Sequence, residues 1–282
     1  MGDNNWIIEN LRKALDMWNN KLGEIWALMS QSPESFKGGA VWDVMADING
    51  ALKAIGYGLL VLFFVMGVMK TAGSFVELKR PEAALKLFIR FALAEAAITF
   101  CMDILLMVFE IAQGAISTIM SYSGLTPDMA TDLPQTVIDA ITNVGFWESI
   151  PLWIVTLLGS LFIWALSLVL ILTVYGRFFK IFMATALAPI PLASFAGELS
   201  ANIGKSYLKT YAALCLQGCV IVLACIIFSV VASGRPAMEN GAGTSAVTIV
   251  WQYIGEILFN MLVLVGTIKG SDRLIRELMG LA

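Results

Sequence analysis

The apolar positions of this chain follow one pattern near the N-terminus and another beyond it. Over residues 4–30, Ile8, Leu11, Leu15, Trp18, Leu22, Ile25 and Met29 recur at alternating steps of three and four. Glu9, Arg12, Lys13, Asp16, Asn19, Asn20 and Lys21 occupy the other faces. That spacing predicts a single amphipathic helix. After a polar link at 31–39, the apolar runs become long enough to cross a hydrocarbon core of ~30 Å, which takes about 20 helical residues. Spans are predicted at 51–69, 87–120, 151–175, 211–232 and 247–268. The second belongs to one long helix expected from Pro81 to Met120, with only part of it in lipid. Lys53 is expected to snorkel outward from the start of the first span.

One stretch breaks the pattern. Pro151 to Tyr175 carries no charge, and Gly176-Arg177-Phe178-Phe179-Lys180 reads as a short basic turn. The apolar segment 181–195 then holds Pro189 and Pro191. Each proline removes a backbone donor and clashes with the carbonyl four residues back. In lipid such freed groups must be satisfied by the protein itself. Residues 181–195 are therefore expected to be re-entrant or a broken helix buried against other spans. The fold class predicted is all-α, a polytopic transmembrane helical bundle of about five spans. It divides into an N-terminal helix and link (1–39, outside) and a transmembrane domain (40–282).

Composition agrees and narrows the chemistry. Hydrophobic residues make up 59% and charged residues 14%, against roughly 45–50% and 25% in soluble domains. Mean hydropathy is +0.81. Histidine is absent, which removes Ser–His and Cys–His nucleophile pairs and histidine-ligated metals. Cys101, Cys215, Cys219 and Cys225 all fall in apolar runs and read as buried small hydrophobes rather than metal ligands. With no phosphate-binding loop and no nucleophile beside a base, neither an enzyme nor a cofactor is expected.

Charge sets the expected orientation. Placing 70–90, 176–209 and the tail inside puts 12 of the 18 Lys and Arg residues on the cytoplasmic side. The 121–150 loop, which is acidic and has no Lys or Arg, then lies outside. Under the positive-inside rule this gives an outside N-terminus and a cytoplasmic C-terminus.

The candidate functional residues are charges in or beside the spans. A charge at the bilayer centre costs about 2.5–3.5 kcal/mol on insertion scales, so such groups face protein or water. At about 100° per residue, Asp103 falls about 80° from Glu95 and Glu110 about 20° from Asp103. These three form an acidic stripe, while Glu256 with Gln252 and Asn260 forms a polar one. The four acids are candidate lumen-facing residues; the alternative is packing against other subunits or outer water. Pro189 and Pro191 are the candidate broken-helix residues. Lys79, Arg80, Arg177 and Lys180 are candidate cytoplasmic contacts. Leu11, Leu15, Trp18 and Leu22 are the candidate assembly helix, because the same repeat serves a coiled-coil seam. The competing reading docks that stripe on the protein's own body.

The layout of spans, together with Pro151–Tyr175, Arg177–Lys180 and Ala186–Ala193 (Ala-Leu-Ala-Pro-Ile-Pro-Leu-Ala), resembles the TrbL-like polytopic inner-membrane subunits of type IV secretion and conjugal transfer systems. Within that family it is most similar to the type found on integrative elements of Gram-positive bacteria. The resemblance implies a non-enzymatic channel or scaffold subunit in the bacterial cytoplasmic membrane, assisting DNA–protein transfer. It implies homo-oligomers and, as partners, other secretion membrane subunits, ATPases and transferred single-stranded DNA with its relaxase; phospholipid is expected at the basic loops 70–90 and 176–209. The alternative carried from the broken segment is a small-solute transporter or permease subunit.

Overall fold

The computed structural model describes residues 5–72, 81–122, 131–144, 146–233 and 245–281 of the 282-residue chain. Among these residues the protein is all α-helical, without strands. The helices are α1 (Asn5–Ser30), α2 (Ala40–Ala72), α3 (Pro81–Thr99), α4 (Cys101–Tyr122), α5 (Gln135–Thr142), α6 (Phe146–Leu187), α7 (Pro189–Ala193), α8 (Ala201–Ser233) and α9 (Ala246–Leu278). Short 3-10 turns occupy Pro33–Gly39 and Ser194–Ala196. Among the described residues, five segments are long and apolar enough to cross a membrane: Pro33–Lys70, Cys101–Tyr122, Ser149–Leu187, Ala201–Val231 and Ala246–Leu278. The protein is a multi-pass helical membrane protein.

Three local features depart from the sequence reading. The helix expected over Pro81–Met120 is interrupted at Phe100. The amide of Phe100 still donates to Ala96 O (2.9 Å) and its carbonyl accepts from Ile104 N (3.0 Å). At the interruption, Lys53 Nζ donates to the carbonyl of Thr99 (2.8 Å). A side chain inserted on a helix carbonyl is a recognised cause of such breaks. Lys53 is thus half-buried and engaged rather than snorkelling. Residues 176–180 are not a turn either. They lie inside α6, which runs unbroken to Leu187.

Contacts divide the chain into two compact units. One comprises Met1–Ser30, Ile116–Tyr175 and Cys219–Ser271. In it the stripe of α1 is covered by the chain itself: Ile8, Leu11, Leu15, Trp18, Ile25 and Met29 are all buried. Burying side chains of this size is worth about 1.5–3 kcal/mol each, which fixes α1 against this unit. Trp18 stacks at a tilt on Phe228 (5.7 Å between ring centres) and Trp6 on Trp153 (5.9 Å). Polar ties add direction. Asn19 both accepts from Thr131 N (3.0 Å) and donates to Thr131 O (3.4 Å), and the Tyr175 hydroxyl donates to Glu24 (2.9 Å).

The other unit comprises Gln31–Ala115, Gly176–Gly218 and Asp272–Ala282. Its entry turn holds Lys37, Gly38 and Gly39 at φ of 52°, 77° and 86°, a run that two glycines make inexpensive. Phe36 then stacks on Phe178 (4.6 Å). The apolar core draws on α2 (Leu60), α3 and α4 (Ile98, Leu105), the segment after α6 (Leu192) and α8 (Tyr211, Leu214). Here α7 packs against α2 and α3.

Candidate functional site

The proline-broken segment of this second unit carries a hydrogen-bonded polar site. Pro189 has no N–H to offer the carbonyl of Thr185, four residues back. Asn49, fully buried on α2, supplies the missing donor: its Nδ2 lies 2.7 Å from Thr185 O. The amide of Ala188, displaced from its regular i−4 partner, bends to Thr185 O as well (3.3 Å). That leaves Ala184 O, which accepts from the Tyr207 hydroxyl of α8 (2.8 Å). The Oδ1 of Asn49 accepts from Cys101 Sγ (3.1 Å). Beyond the break, Ser194 Oγ donates to Pro191 O (2.6 Å) and accepts from Gly204 N (2.8 Å), while Ser200 Oγ donates to Ser194 O (2.8 Å).

Packing is as close as the hydrogen bonding. At Gly56 on α2, a Cβ would sit 2.9 Å from Pro189 O and 3.1 Å from Pro189 Cβ. Pro189 is buried and Pro191 half-buried. The break is therefore held by a glycine contact on one side and by side-chain donors from α2 and α8. Neither Asn49 nor Tyr207 stands out in the sequence. Asn49 falls just ahead of the predicted first span, and only the break's position opposite it gives it a role.

The four acids lie on the surface of their units. Glu95 on α3 is exposed and accepts from the Thr99 hydroxyl (3.0 Å). Asp103 and Glu110 are exposed on α4, whose opposite face buries Cys101, Leu105 and Phe109. The interruption at Phe100 puts Glu95 on a different helix from the other two. Glu256 is exposed on α9 beside buried Tyr253 and Ile257.

The basic candidates separate. Arg177 is 2% exposed. Its guanidinium donates to Leu214 O (3.1 Å) and Cys215 O (2.9 Å) and lies 5.5 Å from the centre of the Phe178 ring. It joins α6 to α8 instead of presenting a contact surface. Lys180 is exposed and pairs with Asp272 (3.0 Å), which also takes Arg276 (3.1 Å). Lys79 and Arg80 lie outside the described residues. On α1, Leu11, Leu15 and Trp18 are buried in the chain's own first unit and Leu22 is half-buried. A heptad seam and an intramolecular docking stripe share one sequence signature, and here the second use occupies it.

Comparison with known proteins adds an identity to this geometry. No curated protein and no solved structure gives a significant match. The family described as TrbL/VirB6 plasmid conjugal transfer like protein matches residues 18–189. That stretch begins within α1 and ends at the proline of the break, and it covers more than half of the chain. The chain thus belongs to the TrbL/VirB6 plasmid conjugal transfer-like family.

Proposed function

We propose that this component of a conjugal transfer system acts as a homo-oligomeric channel or scaffold subunit in the bacterial cytoplasmic membrane, with its N-terminus outside and its C-terminus in the cytoplasm. The observation that carries the reading is the outward position of the acids. Asp103 and Glu110 sit on the exposed face of α4, a segment apolar enough to span a membrane. Carboxylates in such a place need water or another protein beside them. Neighbouring copies around a shared polar lumen meet that need. The stripe of α1 is already covered, so the proposed contact between copies falls on the acid-bearing face of α3 and α4. The division of Lys and Arg between the two sides supports the orientation.

The broken segment favours this role over solute transport. Transporter sites use broken helices whose freed backbone groups bind the cargo. Here two of the carbonyls nearest the break, Ala184 O and Thr185 O, are already served by Tyr207 and Asn49. The basic side chains outside the core, Lys180 among them, are proposed to meet secretion ATPases, other membrane subunits or the transferred single-stranded DNA with its relaxase. Several phosphate contacts are the norm for DNA binding, and a ring of copies multiplies the few that one chain offers.

Two measurements test this. Deleting the gene from its host element should abolish conjugal transfer, and a plasmid copy should restore it; normal transfer after deletion would point back to solute uptake. In a rescuing copy freed of native cysteines, Asp103→Cys should react with a membrane-impermeant thiol reagent. Absence of labelling in an otherwise functional copy would exclude a wet lumen at α4.

A further inference from the structure

The second unit contains a cavity of about 250 Å³ between the end of α2, the start of α3 and the residues that follow the helix break. Lys70, Lys86, Arg90, Glu198 and Ser200 line it together with apolar residues that include Phe63 and Met66. Three cations thus face one carboxylate, Glu198, which sits 3.3 Å from Arg90. Lys70 and Lys86 are exposed and have no ion pair among the described residues. On the same stretches of α2 and α3, Met69, Leu85, Phe88 and Ile89 are apolar and each more than half exposed. In a membrane-spanning chain such a surface meets acyl tails.

We infer that this cavity binds the phosphate-bearing headgroup of an anionic phospholipid. Its net positive charge suits a phosphodiester that carries no balancing ammonium, and the adjoining apolar side chains suit the lipid's tails. Basic pockets between membrane helices select anionic lipids on this principle. Gly67 contributes to the shape. A Cβ there would sit 3.3 Å from Leu87 Cδ2, a tight contact that the leucine side chain would have to ease. This site is independent of the channel reading, since it requires only that the chain lies in lipid.

The test uses the full chain in neutral detergent micelles, with bound lipid counted by native mass spectrometry. Phosphatidylglycerol should be retained in preference to phosphatidylcholine. The double substitution Lys70→Gln with Lys86→Gln should weaken retention about 25-fold, at on the order of fivefold for each basic side chain near an anionic headgroup. Lys70→Arg with Lys86→Arg should keep it, which separates lost charge from lost folding. Removing two exposed cations elsewhere in the same unit, by Lys205→Gln with Lys209→Gln, should leave it unchanged. Equal retention of both lipids, or equal loss from the Lys205/Lys209 pair, would overturn the site. Full displacement of phosphatidylglycerol by millimolar inorganic phosphate would reassign it to the free anion.

Discussion

Gly56→Leu should destroy the protein's ability to complement a deletion in conjugal transfer, whereas Gly58→Leu, two residues further along α2, should complement like the wild type. The asymmetry follows from what each position faces. A Cβ at 56 would come within 2.9 Å of the backbone oxygen of Pro189, and a Cβ at 58 meets nothing within 4 Å. Backbone cannot swing aside as a long side chain does, so the leucine at 56 would push α2 off α7. Forcing extra methylenes into a packed contact costs about 1–3 kcal/mol and occasionally more, and the upper end is expected here because the opposing group is main chain. At 58 the replacement adds apolar surface to an exposed helix face and gains up to about 1 kcal/mol of helix propensity over glycine. Unfolding in mixed detergent–SDS micelles, followed by tryptophan fluorescence, would report both. If the two variants unfold alike, the close approach of α2 to the break is not what holds this unit together.

How far the sequence reveals this protein depends on which physical signal is asked for. Long uncharged runs such as Pro151–Tyr175 and the regular stripe of α1 are written in composition and periodicity, and both produce helices where expected. The presence of a break is legible too, because no context gives Pro189 an N–H. What covers a helix face is not legible. Leu11, Leu15 and Trp18 would repeat at the same spacing whether their partner were a second copy or Phe228 of the same chain. Arg177 shows the same limit. In the sequence it is one cation beside Lys180, yet one is 2% exposed and hydrogen-bonded to Leu214 and Cys215 while the other reaches Asp272 at the surface. The interruption at Phe100 has no glycine or proline to announce it; Lys53, more than forty residues earlier, donates to the carbonyl beside it. Periodicity fixes elements, and long-range polar contacts decide how each one ends or bends.

The second large effect is expected at Asn49, and a pair of substitutions can trace it to a single carbonyl. Asn49→Ala removes the 2.7 Å bond to Thr185 O and the acceptor for Cys101 Sγ. Leaving a buried acceptor underserved costs about 1–3 kcal/mol, softened here by the longer bond from Ala188 N at 3.3 Å. A loss near 2 kcal/mol, again read by unfolding in mixed micelles, is the expected result. Pro189→Ala restores an N–H at the position from which a regular helix would serve Thr185 O. Ala188 already has helical φ and ψ of −51° and −41°, so the new amide can reach that carbonyl with little rearrangement. In the Pro189→Ala background, Asn49→Ala should therefore cost less, with a coupling energy on the order of 1 kcal/mol. The cavity left by the shortened side chain is common to both backgrounds and cancels in the cycle. Equal costs in the two backgrounds would mean that Asn49 stabilises the protein through its packing or Cys101, and that the break at Pro189 is held by other contacts.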